Sequence, residues 1–137
     1  MPAYMLDSNA LSELIRNPGG SVSRQFESQA VDPANRLLTS IITACEIRYG
    51  VVRKGSRILS GRVEQSLATV EIVPLSSGAD ETYAVLRADL ERKGQLIGPN
   101  DMLIAAHALA LDAILVTDNV REFKRVKGLK IENWLRA

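Results

Sequence analysis

Asp101-Met102-Leu103-Ile104-Ala105-Ala106-His107-Ala108-Leu109-Ala110-Leu111 is followed, after two residues, by Ile114-Leu115-Val116-Thr117-Asp118-Asn119. The first segment is apolar nearly all round a helical wheel. That predicts a central, buried helix, because a surface helix keeps a polar face. The second is a short apolar run closed by polar residues, as a strand buried on both faces would be. A buried helix feeding a short buried strand is the unit of a parallel sheet covered on both sides.

The same alternation extends in both directions. Ala3–Leu6 reads as another short buried strand, followed by a helix that Ser8 or Asn9 would cap and that runs to Arg16. Asn17-Pro18-Gly19-Gly20 is a strong break. A short helix over Val22–Gln29 ends at Asp32-Pro33, and Leu37–Thr39 follows as a strand. Ile42, Cys45, Tyr49 and Val52 recur at spacings of three and four, which predicts a helix over Thr43–Lys54 with that arc turned inward and Cys45 a small core residue. Gly55 stops it. Val63, Leu67 and Val70 mark the next helix, before a strand at Glu71–Val73. Ser77 is placed to cap a helix over Ala79–Lys93, with Gly94 at its left-handed end. Beyond Asp118, a short helix is expected over Asn119–Val126 and a last strand over Leu129–Ile131. The expected fold class is α/β, one domain over residues 1–137, with a central parallel sheet of four to five strands and helices on both faces.

Composition narrows the function classes. The 137 residues carry 46% apolar and 24% charged side chains, with a formal net charge of +1, so no global basic field advertises nucleic acid. A single cysteine and a single histidine, His107, exclude an internal disulfide and Cys- or His-rich metal sites. No apolar run approaches the ~20 residues needed to cross a bilayer, and the N-terminus has no signal-peptide pattern, so a cytoplasmic protein away from membranes is expected. No phosphate-cradling or dinucleotide-binding glycine pattern is present. Aromatic content of 4% is low for a protein that stacks RNA bases, so Tyr49, Tyr83 and Trp134 are expected in the core or at an interface.

Four acids stand beside apolar runs: Asp7, Glu46, Asp101 and Asp118. Carboxylates avoid apolar surroundings unless paired, hydrogen-bonded or bound to metal. In an open α/β sheet, ligands gather outside the carboxyl ends of the strands. Asp7, and Asp118 with Asn119, directly follow strands, while Asp101 opens a helix whose dipole suits it. Glu46 borders the apolar arc of its helix, which suggests that it reaches inward. Each has a plain structural explanation: a cap for Asp7, first-turn dipole chemistry for Asp101, a turn for Asp118-Asn119, a half-exposed helix residue for Glu46. Their joint placement on one edge is what points to a site. Crowded carboxylates raise one another's pKa values, and a hard cation such as Mg²⁺ or Mn²⁺ relieves that repulsion with oxygen ligands. Acids and metal, without a nucleophilic Cys or His, fit phosphodiester hydrolysis by activated water. His107 lies about 120° round the helix from Asp101 and is expected to pack or reach a surface.

Met5-Leu6-Asp7-Ser8-Asn9 resembles the opening motif of the PIN-domain nucleases. Ser40-Ile41-Ile42-Thr43-Ala44-Cys45-Glu46-Ile47-Arg48-Tyr49-Gly50 resembles their Ser-x-x-Thr-x-x-Glu motif, Gly98–Ala108 the third, and Val116–Phe123 the fourth. Order and spacing agree over almost the whole chain, and the subgroup it looks most like is the VapC and FitB type of bacterial toxin. The resemblance implies a Mg²⁺- or Mn²⁺-dependent endoribonuclease. Asp7 and Asp101 match the principal metal ligands and Glu46 the third acid. The fourth acid of many members falls at Asn119 here, with Asp118 one residue earlier, so either could fill that position. Ser8, Ser40 and Thr117 are candidates for hydrogen bonds that hold the carboxylates. Arg16, Arg48 and Arg121, with Arg53, Lys54, Arg57 and Lys124, are candidates to offset the acids and hold RNA.

The implied substrate is single-stranded RNA, such as a tRNA loop, cut to leave a 5′-phosphate and a 3′-hydroxyl. The implied partners are a VapB-like antitoxin and a second copy of the chain, in a heterotetramer or larger complex that meets operator DNA through the antitoxin. Apolar positions around Val22–Phe26 and Ile58–Val70 could serve that dimer or an antitoxin groove. A FitB-like role, as the protein-binding subunit of a DNA-bound repressor with little nuclease activity, is the alternative.

Overall fold

The computed structural model describes residues 2–136. In chain order the elements are β1 (Ala3–Leu6), α1 (Ser8–Arg16), α2 (Ser21–Ala30), β2 (Arg36–Ser40), α3 (Ile41–Lys54), α4 (Arg57–Leu67), β3 (Glu71–Val73), α5 (Ala79–Arg92), α6 (Pro99–Ala110), β4 (Ile114–Val116), α7 (Val120–Phe123) and β5 (Lys130–Glu132). The sheet has five strands in the order β3-β2-β1-β4-β5, every pair parallel. β1 is central. Its neighbours change from β2 to β4 there, so the sheet is wound outward in both directions from the strand that ends at Asp7.

Side chains of β1 alternate between two cores, as the pleat requires. Met5 joins Leu38, Leu115, Leu86, Leu90, Ile104 and Phe123 beneath α5, α6 and α7. Tyr4 and Leu6 join Leu11, Val22, Phe26, Val63 and Leu67 beneath α1, α2 and α4. α3 stands between them, giving Ile42 to the first core and Ile47 and Val51 to the second. Trp134, 5% exposed, closes the second core against Tyr4, with ring centroids 5.3 Å apart. Among the described residues no helix is long and apolar enough to cross a membrane.

Several local expectations shift. Asp7 caps α1, its Oδ1 accepting from the Ala10 amide at 3.1 Å, where Ser8 or Asn9 was expected. α5 starts after Gly78 at φ 99°, without a side-chain cap from Ser77. α7 is shorter than Asn119–Val126, and β5 lies one residue beyond Leu129–Ile131. Gly55 does end α3 in the left-handed region, φ 66°, donating to the Val51 carbonyl.

The largest correction concerns α3. Its buried residues are Thr43 and Ala44, with Ile47 and Val51 packed on the core. Cys45 is exposed, Tyr49 is 66% exposed and Val52 79% exposed. The helix carries two apolar stripes, and α1 and α4 cover the second one. Cys45 is therefore no core residue, and Tyr49 faces outward.

Candidate active site

The carboxyl ends of β1 and β4 fix the first acid. The Asp7 amide donates to the Val116 carbonyl at 3.0 Å, which prolongs the β1–β4 ladder by one residue. The Thr39 hydroxyl donates to the Leu6 carbonyl at 2.7 Å. Asp7 is thus held from both neighbouring strands, 3% exposed. Burial pushes its pKa up to about 6, and Asp101 adds to the rise, while the Thr117 hydroxyl and the amides of Ala10 and Asn9 oppose it.

Asp101 sits in the first turn of α6, half-buried, where Pro99 sets the helix start. Its pKa is raised by burial first, then by Glu46, then by Glu122. Glu46 projects from the middle of α3 and accepts a hydrogen bond from the Ser8 hydroxyl at the start of α1. Glu122, in α7, accepts from the Asn119 side-chain amide at 3.2 Å. Asp7, Glu46, Asp101 and Glu122 therefore share one electrostatic neighbourhood contributed by β1, α3, α6 and α7. Among the described residues none of them forms an ion pair.

Asp118 is not part of that group. Its carboxylate accepts from the Asn133 amide at 3.0 Å and from Arg136 Nε at 3.1 Å, and these partners hold its pKa below the usual range. Its backbone amide donates to Asn9 Oδ1 at 2.9 Å. Asp118 ties the C-terminal segment to β4 and α1. Asn119 takes a supporting place: its amide N donates to the Thr117 hydroxyl at 2.9 Å and its side chain to Glu122.

Of the three hydroxyls expected beside the acids, Ser8 meets Glu46 and Thr117 lies against Asp7. Ser40 does not reach a carboxylate. It caps α3 by accepting from the Ile42 amide at 3.1 Å and bonds His107 Nδ1 at 2.8 Å. Arg48 is held by Glu64 of α4, two residues and so about 200° round α3 from Glu46. Arg121 is exposed on α7. Arg16 pairs with Glu13 at 3.5 Å and lines a groove of about 490 Å³ between α1, α3 and α4, whose wall includes Ser8, Glu46, Lys54 and Leu59.

Glu122 is the site residue that sequence reasoning missed. A signal was present: it follows Asn119 by three positions, inside the fourth motif. Thr43, one turn before Glu46, is fully buried with no hydrogen-bond partner for its hydroxyl among the described residues.

Could these residues hold a cation? The donors are all oxygen, the charges lack basic partners, and burial raises the pKa of Asp7 and Asp101, with Asp101 adding to the rise at Asp7 and Glu46 and Glu122 adding to the rise at Asp101. That is the chemistry of a hard divalent ion. Among the described residues no group of three His, Cys, Asp or Glu side chains stands close enough to enclose an ion as placed. The donor set fits; the ligand sphere is not drawn together.

Comparison with known proteins identifies the family of the whole chain. A family model described as PIN domain matches residues 4–129. Ribonuclease VapC2 of Rickettsia felis is 39% identical over 132 residues, covering 96% of this chain and 97% of that protein. The tRNA(fMet)-specific endonuclease VapC of Salmonella typhimurium is 33% identical over 136 residues, 98% of this chain and 99% of that one. A chain in the crystal structure of VapBC2 from Rickettsia felis, bound to a DNA fragment from their promoter, superposes with a TM-score of 0.88 at 37% identity, over 96% of this chain and 98% of the other. With the model spanning nearly all its length and relatives this similar from end to end, the chain belongs to the PIN-domain family, in its VapC ribonuclease toxin branch.

Proposed function

We propose that this ribonuclease is the toxin half of a type II toxin–antitoxin pair, cleaving single-stranded RNA with Mg²⁺ or Mn²⁺, and that an initiator tRNA is within its substrate class. The observation that carries this reading is the set of four carboxylates gathered about Asp101 at the carboxyl edge of the sheet, without a basic partner among the described residues. The tRNA(fMet) specificity of the Salmonella typhimurium relative supports the tRNA part.

Asp7 and Asp101 would hold the cation, with Glu46 and Glu122 beside them. When bound, such an ion polarises a phosphoryl oxygen and lowers the pKa of water. The protein's own share is preorganisation. Asp7 is fixed by the Ala10 amide and the Thr117 hydroxyl, Glu46 by Ser8, and Glu122 by Asn119, so the charges need not be rearranged as the reaction proceeds. Water attacks phosphorus, the P–O3′ bond breaks, and the products are a 5′-phosphate and a 3′-hydroxyl. Unpaired nucleotides suit the site, since a duplex cannot bring its backbone into a recessed acidic edge. Arg16, Lys54 and Arg121 would counter the acids along the RNA path.

The groove between α1, α3 and α4 suits an antitoxin segment, because it is walled by apolar side chains and opens on Glu46. A basic antitoxin side chain there would meet the unpaired acids and block them. Operator DNA would be met through the antitoxin. A protein-binding subunit in such a repressor, with little nuclease activity, is the second reading, supported by the promoter DNA in the Rickettsia felis complex.

The test is cleavage of a tRNA(fMet) transcript by the isolated chain, with Mg²⁺, with Mn²⁺ and with EDTA. We expect cleavage that needs metal and is lost in Asp101→Asn. Undiminished cleavage by that variant would remove the mechanism, and an inactive wild-type chain that still binds operator DNA with its antitoxin would favour the repressor.

A further inference from the structure

His107 is the one histidine of the chain and is fully buried, yet the chemistry above makes no use of it. Its Nδ1 lies 2.8 Å from the hydroxyl of Ser40, also fully buried. The Ser40 oxygen also accepts from the Ile42 amide, and with a second lone pair and a proton it can complete the bond to Nδ1 in either tautomer of the ring. The other ring nitrogen, Nε2, has no hydrogen-bond partner among the described residues. Burial lowers the ring's pKa, in keeping with the neutral form.

The placement of this bond gives it a use. Ser40 stands at the junction of β2 and α3, and His107 lies on α6. Six residues along α3 from Ser40 is Glu46; six residues back along α6 from His107 is Asp101. Each interval is about 9 Å of helix. The two helices thus meet at both ends of matched intervals, Ser40 with His107 at one end and Glu46 facing Asp101 at the other. Glu46 and Asp101 repel, and Ile42 packs on the first core through non-directional apolar contact, so neither can fix the register of the helices closely. The neutral bond at the far end can.

We infer that His107 is a positioning residue for RNA cleavage: bonded to Ser40, it clamps α6 to the start of α3 and so sets where Asp101 stands relative to Glu46. The inference rests on the metal-dependent nuclease reading for its consequence, though not for its geometry. A buried side chain that merely filled space would be replaceable by leucine at no cost to the acids. A clamp would not be, and asparagine, which offers an amide oxygen near the place of Nδ1, would recover it.

The experiment compares the full chain with His107→Leu, His107→Asn and Ser40→Ala, using Mn²⁺ titration without RNA and steady-state cleavage of a tRNA(fMet) transcript. The expected result for His107→Leu and Ser40→Ala is about tenfold weaker Mn²⁺ binding and about tenfold lower kcat, with KM for the RNA nearly unchanged. His107→Asn should regain most of both. Ser40→Ala also loses the α3 cap, so His107→Leu carries the comparison if that variant folds poorly. Should His107→Leu itself fold poorly, Ser40→Ala and the recovery by asparagine decide. Wild-type Mn²⁺ affinity and kcat in a folded His107→Leu protein would overturn the clamp, as would an asparagine variant no better than leucine. If Asp101→Asn binds Mn²⁺ like the wild type, the metal reading falls by itself, and the clamp is still judged on kcat and on recovery.

Discussion

The hydroxyl of Ser8 donates to the carboxylate of Glu46, from the first residue of α1 to the middle of α3, 38 positions apart in sequence. Glu46 has no other hydrogen-bond partner among the described residues, so this contact alone sets its rotamer. Ser8→Ala should release it. We expect a fall in kcat of about tenfold, with thermal stability little changed. Steady-state cleavage beside a circular-dichroism melt checks both parts.

Asp7→Asn and Asp101→Asn should separate stability from activity in opposite directions. Each removes a carboxylate that burial and its neighbours disfavour, and asparagine caps helices about as well as aspartate. Both variants should be at least as stable as the parent in urea, while cleavage falls by about a hundredfold or more. A less stable, fully active Asp7→Asn protein would contradict the assignment.

Stability should depend on pH through Asp7. Its folded pKa is raised from 3.8 to about 6, so the folded state binds the proton more tightly than the unfolded chain. Below about 4 both states are protonated and the group costs nothing. As pH rises from there to about 6 the unfolded chain ionises while the folded Asp7 keeps its proton, so stability falls by up to about 3 kcal/mol, the figure levelling off above, where the fold too carries the charge. The gap between wild type and Asp7→Asn should therefore open between these pH values. Mn²⁺ affinity should weaken over the same window as pH is lowered, because a protonated Asp7 cannot act as a ligand. Urea titrations and calorimetric Mn²⁺ titrations at steps of pH read the two effects.

Two neighbouring acids should behave differently. Glu122→Gln removes a charge that acts on Asp101 and should slow cleavage about tenfold. Asp118→Ala loses its bonds to Asn133 and Arg136 and should leave cleavage close to normal while the melting temperature falls slightly. Equal losses of activity in both would mean that Asp118 also reaches the substrate.

Much of this was readable before any coordinates. β1, β4 and α6 stand out because they are apolar beyond what one exposed face allows, and Asp7 and Asp101 inherit their place on the sheet edge from those elements. Glu46 was harder. The arc of Ile42, Cys45, Tyr49 and Val52 is mostly exposed, and the inward stripe is Thr43, Ala44, Ile47 and Val51; Glu46 lies beside both, so its inward direction was reached from the wrong neighbours. A single helix with two apolar stripes does not say which one its partners cover. Asp118 was misplaced for a related reason: after the strand ends, each residue turns through a large angle, and the acid next to the strand faces the C-terminal segment. Glu122 sits on a helix of four residues, too short for periodicity to reveal.

Trp134 gives the molecule a built-in optical reporter. It is the single tryptophan, buried against Tyr4, whose strand leads directly into Asp7, and its carbonyl accepts from Ser21 at 2.7 Å. Its emission should therefore be blue-shifted while β1 and the chain end stay docked and move red when they part. Light absorbed by Tyr4 should reach it by resonance transfer, so loosening beside the acidic edge can be followed in unlabelled protein as a loss of that sensitised emission.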